Sequence, residues 1–150
     1  MKVHAAVSAE GLPLSLVIGP GNEHDSRRFT DVLDGIRIGT GGRSRTRPRE
    51  VVDDAAYDER RIRGYLRRRG IRSTIPTNRR NGSGGRRRGR PTRFDESTYR
   101  KRGCVERFFG WLKAGFRRLT LRYERLNAVF MGLLSMASFL IYWRRVGGGF

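Results

Sequence analysis

Residues 99–113 read YRKRGCVERFFGWLK, and the winding of this stretch decides how the rest of the chain is arranged. At 3.6 residues per turn each position advances by about 100°. Measured from Glu106, Tyr99 then falls at about 20°, Arg102 at about −40° and Lys113 at about −20°. The four polar residues share one face. Phe108 and Leu112 point to the opposite side, and together with Val105, Phe109, Phe116 and Leu119 they predict one long helix from Glu96 to about Leu121. Taken as charges alone, Arg102 and Glu106 are an ordinary i, i+4 ion pair on a solvated face, contributing a few tenths of a kcal/mol.

Upstream of this helix, 77–93 (TNRRNGSGGRRRGRPTR) mixes glycine with seven arginines, Arg86, Arg87 and Arg88 among them. Such a segment has nothing to bury and is expected to be a flexible basic loop that orders on phosphate. Before it, Glu50 to Asp54 forms a short strand that ends in two carboxylates. Asp58 is placed to cap a helix with the stripe Ile62, Tyr65, Leu66, which Gly70 stops, and Ile71 to Ile75 is a further strand. Gly39 to Arg49 is a Gly, Ser and Arg-rich loop.

The first residues alternate, Val3, Ala5 and Val7 on one face and Lys2, His4 and Ala6 on the other. They turn at Gly11 into the apolar run Leu14 to Ile18, a β-hairpin. Asp25 or Ser26 is placed to cap a helix with Phe29, Val32, Leu33 and Ile36, ending near Gly35. His4 and His24 read as a sheet-face and a turn residue. The element order is ββαβαβ followed by two helices, one α/β domain over 1–150. The last helix, Arg125 to Arg145, contains sixteen uncharged residues, Ala128 to Trp143. A membrane span needs about 20, so a buried core helix is expected and no membrane partner.

Composition narrows the partner class. Thirty-three Lys and Arg against fourteen Asp and Glu give a net charge of +19, a self-repulsion that a polyanion relieves. The single Cys104 excludes an internal disulfide, and two distant histidines supply no zinc cluster. Together these fit a cytoplasmic, nucleoid-associated protein. A structural RNA-binding protein also fits the charge, but it leaves the polar line from Tyr99 to Lys113 unexplained.

The spacing Tyr99-x2-Arg102-x3-Glu106-x6-Lys113, with ERFF at 106–109, resembles the signature around the catalytic Glu of DDE transposases of prokaryotic insertion sequences. The segment VVDDAAYD resembles that family's Asp-x-x-Tyr-Asp motif around its second catalytic Asp, with Asp54 in the catalytic place. Lys2-Val3-His4-Ala5, Gly11-Leu12-Pro13 and Gly19 to Asp25 resemble its neighbouring strands and the turn after them.

The resemblance implies an RNase H-like mixed sheet flanked by helices. It also implies Asp54 and Glu106 as catalytic ligands of Mg²⁺ (or Mn²⁺), and contacts to double-stranded DNA through Tyr99, Arg102 and Lys113. Two such ions, about 3.5 to 4 Å apart, activate the attacking oxygen and stabilise the leaving one in phosphodiester cleavage and transfer. Hard cations take carboxylate ligands, which is why acidic residues from strand ends and a helix must converge. The family's first catalytic Asp stands on a strand ahead of the Lys-x-His segment, and this sequence begins at Met1-Lys2-Val3-His4. The expectation is therefore an RNase H-like chain without its first strand. It would be either a transposase fragment, homo-oligomeric when intact, or an inactive DNA-binding remnant that inhibits intact transposase. Asp53 is expected to be an exposed or strand-edge carboxylate.

Overall fold

The computed structural model describes residues 1–39, 41–78, 94–120 and 126–147. Strands β1 (Lys2–Val7) and β2 (Pro13–Gly19) form the expected hairpin, antiparallel from Lys2↔Gly19 to Ala6↔Ser15. Its turn closes through Ser8 N donating to Leu12 O at 2.8 Å. Gly11 holds that turn at φ 88°, where a Cβ would come within 3.2 Å of the Trp111 ring, so both conformation and space call for glycine.

The alternation seen in the sequence divides the hairpin between two cores. Val3, Ala5, Val7, Leu16 and Ile18 pack on a cluster built from Phe108, Leu112, Phe130, Leu134, Ala137 and Ile141. Ala6 and Leu14 face a second cluster, in which Phe29, Leu33 and Ile36 meet Ile62, Leu66, Ile71 and Ile75. Helix α1 (Phe29–Asp34) follows a 3-10 turn at Asp25–Arg28 and ends at Gly35, as its apolar spacing predicts. Strand β3 (Glu50–Val52) pairs in parallel with β4 (Arg72–Thr74), and α2 (Arg60–Arg68) is the crossover between them. Gly70, at φ 63°, turns the chain out of α2.

Among the described residues β1 pairs only with β2, and β3 only with β4. Their other edges meet across a cavity of about 630 Å³, lined by all of Lys2–Val7 and Glu50–Val52 and floored by Phe29, Val32 and Leu33.

The long helix expected over Glu96 to Leu121 is broken. Asp95 caps α3 (Glu96–Tyr99), accepting from Ser97 N at 3.0 Å and Thr98 N at 3.3 Å. A 3-10 turn, Arg100–Gly103, then leads into α4 (Cys104–Gly115), and α5 (Arg117–Thr120) follows after Phe116. The breaks fall beside Gly103 and Gly115, weak helix formers, while Gly110 is carried inside α4. A 3-10 turn advances about 120° per residue, so four such residues rotate Tyr99 by about 80° relative to Glu106. The single polar line is therefore split.

Helix α6 (Asn127–Val146) exists as expected, but it is a core helix on one side only. Phe130, Leu134, Ala137 and Ile141 are buried, whereas Met136, Phe139 and Trp143 on the far side are 63%, 61% and 59% exposed. By length and composition alone it is the one helix among the described residues that could cross a membrane, and 28% of that window is buried.

Two expected caps have other tasks. Asp25 does not cap; its carboxylate takes Lys2 Nζ at 2.8 Å. Asp58 is 1% exposed, and its Oδ1 accepts from Arg63 Nε at 2.9 Å while Oδ2 accepts from Asn78 N at 2.7 Å. A carboxylate with no access to water cannot be left to solvent, so the nearest cation on α2 is drawn onto it.

Candidate functional site

Where β3 ends, backbone and side chain cooperate to fix Asp54. Its extended backbone (φ −82°, ψ 175°) lets Oδ1 accept from Ala56 N at 2.8 Å and cap the 3-10 turn Ala55–Tyr57. One oxygen is thereby anchored and Oδ2 is left for another partner. Arg63 holds the same region from behind: besides Asp58 it donates to Ile75 O at 2.8 Å, tying the segment after Asp54 to the end of β4.

Asp54 opens onto a cleft of about 530 Å³ that also takes in Lys2, Asp25, Asp53, Arg102 and Glu106. Glu106 comes from the first turn of α4 and is exposed, while Arg102 comes from the 3-10 turn before it. A strand end and a helix start thus deliver carboxylates to one cleft, with an arginine between the elements.

Asp53 corrects its expectation as an exposed carboxylate. It is half-buried, and burial pushes its carboxyl up to about 7, against the hydrogen bond it accepts from Asp54 N. The neighbouring Asp54 and Asp25 charges push the same way and Arg102 opposes them. Burial thus favours the neutral form of the Asp53 carboxyl, unlike a solvated carboxylate. His4 lies against the same region, with Nδ1 at 3.8 Å from Asp25 Oδ1 and Nε2 without a hydrogen-bond partner among the described residues. Burial lowers its pKa, the Asp25 charge opposing.

The other expected site residues are placed as follows. Tyr99 does not line the cleft; its ring lies 5.3 Å from the Arg102 guanidinium carbon and 5.3 Å from the Phe94 ring, a platform beneath the arginine. Lys113 is exposed on α4, seven residues and about 10 Å beyond Glu106, and it also lies outside the cleft. Arg86, Arg87 and Arg88, with most of the expected basic loop, lie outside the described residues. Among the described residues no three His, Cys, Asp or Glu side chains converge on one metal position; Asp54 and Glu106 line the same cleft. Sequence alone does not single out Lys2 or the Asp58–Arg63 pair. The last Asp of the Asp-x-x-Tyr-Asp motif, five residues before an arginine on α2, is the available signal.

Mixed α/β layers and a cleft of carboxylates beside arginine, in a chain of net charge +19, agree with the RNase H-like class of proteins that act on nucleic acid. Residues 1–143 match the family model described as the Transposase DDE domain, and the chain belongs to that family. It is 33% identical over 153 residues to a Brucella ovis protein named as the inferred transposase of insertion sequence element IS6501, covering 95% of this chain and 98% of that one. It is also 33% identical over 144 residues to a Burkholderia cepacia protein named in the same way for element IS402, covering 95% of this chain and 62% of that one. No solved structure matches. At the level of the family, the activity is metal-dependent phosphodiester cleavage and strand transfer in DNA transposition.

Proposed function

We propose that this chain forms the greater part of a transposase active site, in which Asp54 and Glu106 hold Mg²⁺ or Mn²⁺ and Arg102 fixes a DNA phosphate. The observation that carries this reading is the delivery of those three side chains to one cleft from a strand end and two consecutive helical turns. The residues present fit a hard cation as two of its ligands, since both are carboxylates lining one cleft and Asp54 Oδ1 is held by Ala56 N. A bound cation would supply the activated nucleophile and the stabilised leaving oxygen. The chain's own part is to orient: Ala56 N fixes Asp54, Tyr99 supports the Arg102 guanidinium, and Lys113 extends the phosphate track along α4.

A third carboxylate belongs on a strand lying between β1 and β3, whose open edges meet across the 630 Å³ cavity. Hydrogen exchange tests this part. Alternate amides of Lys2–Val7 should exchange within seconds in the chain alone and become protected when an added segment fills the cavity. Strong protection of every β1 amide in the chain alone would mean that the slot is already closed.

DNA binding is tested separately from chemistry. Replacing Arg86, Arg87 and Arg88 with Ala should weaken binding to duplex DNA and lower the slope of log K against log salt by up to about 0.9 for each phosphate no longer neutralised. A slope that does not move would remove those arginines from the interface. A second reading, an inactive remnant that blocks intact transposase, follows from the two-carboxylate site. It predicts DNA binding with no cleavage even after the cavity is filled.

A further inference from the structure

The outer side of α6 has an organisation that the cleft does not use. Val129, Gly132, Met136, Phe139, Trp143 and Val146 recur at spacings of 3, 4, 3, 4 and 3, all on the side away from the buried Phe130, Leu134, Ala137 and Ile141. Three-four spacing sustained over eighteen residues, Val129 to Val146, is the pattern of a helix-pair seam, not the scattered apolar exposure of an ordinary surface. The face carries no charge from Asn127 through Trp143, in a chain where nearly a third of residues are charged. We infer that α6 pairs with α6 of a second copy of this chain in an antiparallel, two-fold arrangement.

Side-chain sizes fix the direction. In an antiparallel pair centred between Met136 and Phe139, Val129 lies opposite Val146, Gly132 opposite Trp143, and Met136 opposite Phe139. The largest side chain on the face therefore meets the position that has none, and space around Gly132 is open, since a Cβ there has no neighbour within 4 Å. A parallel pair would set Trp143 against Trp143 and Gly132 against Gly132, alternating collision and void. Charge agrees. Antiparallel pairing puts Arg144 and Arg145 of the two copies at opposite ends of a seam about 25 Å long, well beyond the roughly 8 Å screening length at physiological salt. Arg145 is in any case turned away, 4.0 Å above the Trp111 ring.

The area is sufficient. Phe, Tyr and Trp each bring about 150 to 250 Å² of burial, and Phe139, Trp143 and Tyr142 beside the seam are about half exposed or more. With Met136 and the two valines the face approaches the roughly 600 to 800 Å² per partner of a specific interface.

Sedimentation equilibrium on the full chain tests the pairing. A concentration-dependent dimer is expected. Gly132→Trp should overfill the seam and Trp143→Ala should empty it, each weakening association by tenfold or more, and the double variant should recover most of the loss because the large and small positions are exchanged at once. Circular dichroism on each variant checks that the fold is kept. Val129→Cys with Val146→Cys should give a covalent dimer on oxidation, whereas Val129→Cys alone should not. Cross-linking by the single cysteine variant would overturn the antiparallel direction. A monomer at all concentrations up to about 100 µM, or failure of the double variant to recover, would overturn the pairing itself. Capture of the monomer by phosphatidylcholine and phosphatidylglycerol vesicles, without self-association, would do the same by assigning the face to lipid.

Discussion

Glu106→Gln is expected to abolish metal-dependent DNA strand cleavage by the assembled transposase while leaving duplex binding close to unchanged. The amide keeps the length and polarity of the side chain but loses the negative charge that a hard cation requires. Loss of several kcal/mol of transition-state stabilisation corresponds to a rate decrease of about 10³-fold or more. Glu106 is exposed in the first turn of α4 and no core packs on it, so folding should not suffer. Two measurements separate the roles: single-turnover cleavage with Mg²⁺, and Mn²⁺ binding followed by electron paramagnetic resonance. Cleavage at the parent rate would remove Glu106 from the site. Abolished cleavage with unaltered Mn²⁺ binding would leave it a role other than ligand.

Arg63→Met should produce the largest loss of stability of any single change near the cleft, about 3 to 5 kcal/mol. Methionine fills similar volume and suits a helix, so the effect isolates charge and hydrogen bonding. Without the guanidinium the Asp58 carboxylate, almost wholly buried, loses its 2.9 Å partner, and Ile75 O loses a donor. Urea unfolding with the slope held in common reads the difference directly. A change below about 1 kcal/mol would mean that the pair is replaceable by the other groups around it. Asp58→Asn with Arg63→Met should recover part of the loss, because the buried carboxylate charge is removed together with its guanidinium partner.

Much of the fold is legible in the sequence, for identifiable reasons. The hairpin, α1, α2 and β4 follow from two-residue and 3.6-residue apolar periods with glycines at the turns, signals carried within each segment. The same count assigns Phe108 and Leu112 to the core. It also puts Tyr99 in line with Glu106, because it assumes one uninterrupted helix and treats Gly103 as a tolerated residue, whereas Lys113 lies with Glu106 inside the unbroken α4 and keeps its place. The task of Asp25 is hidden for a different reason: its partner, Lys2, is brought to it by tertiary folding, whereas Asp58 and Arg63 stand five residues apart at the start of α2, where a cap is the commoner use of such an Asp. Burial of Asp53 likewise depends on β1, β3 and the 3-10 turn meeting, which only the assembled chain decides. The two-sided character of α6 is concealed because both of its faces are apolar.

Asp54 and Glu106, the two carboxylates proposed as metal ligands, ride on different cores. Asp54 follows β3, whose Val51 packs on the Phe29, Ile62 and Ile75 cluster, whereas Glu106 stands on α4, seated through Phe108 and Leu112 on the cluster shared with α6. The hairpin between them is the common wall, and Trp111 latches α4 to its turn at Gly11. The proposed site would therefore work like a caliper whose jaws are separately mounted: a small slackening of either mounting would alter the gap long before either comes loose, and cleavage by the assembled transposase is expected to fail before helix content does.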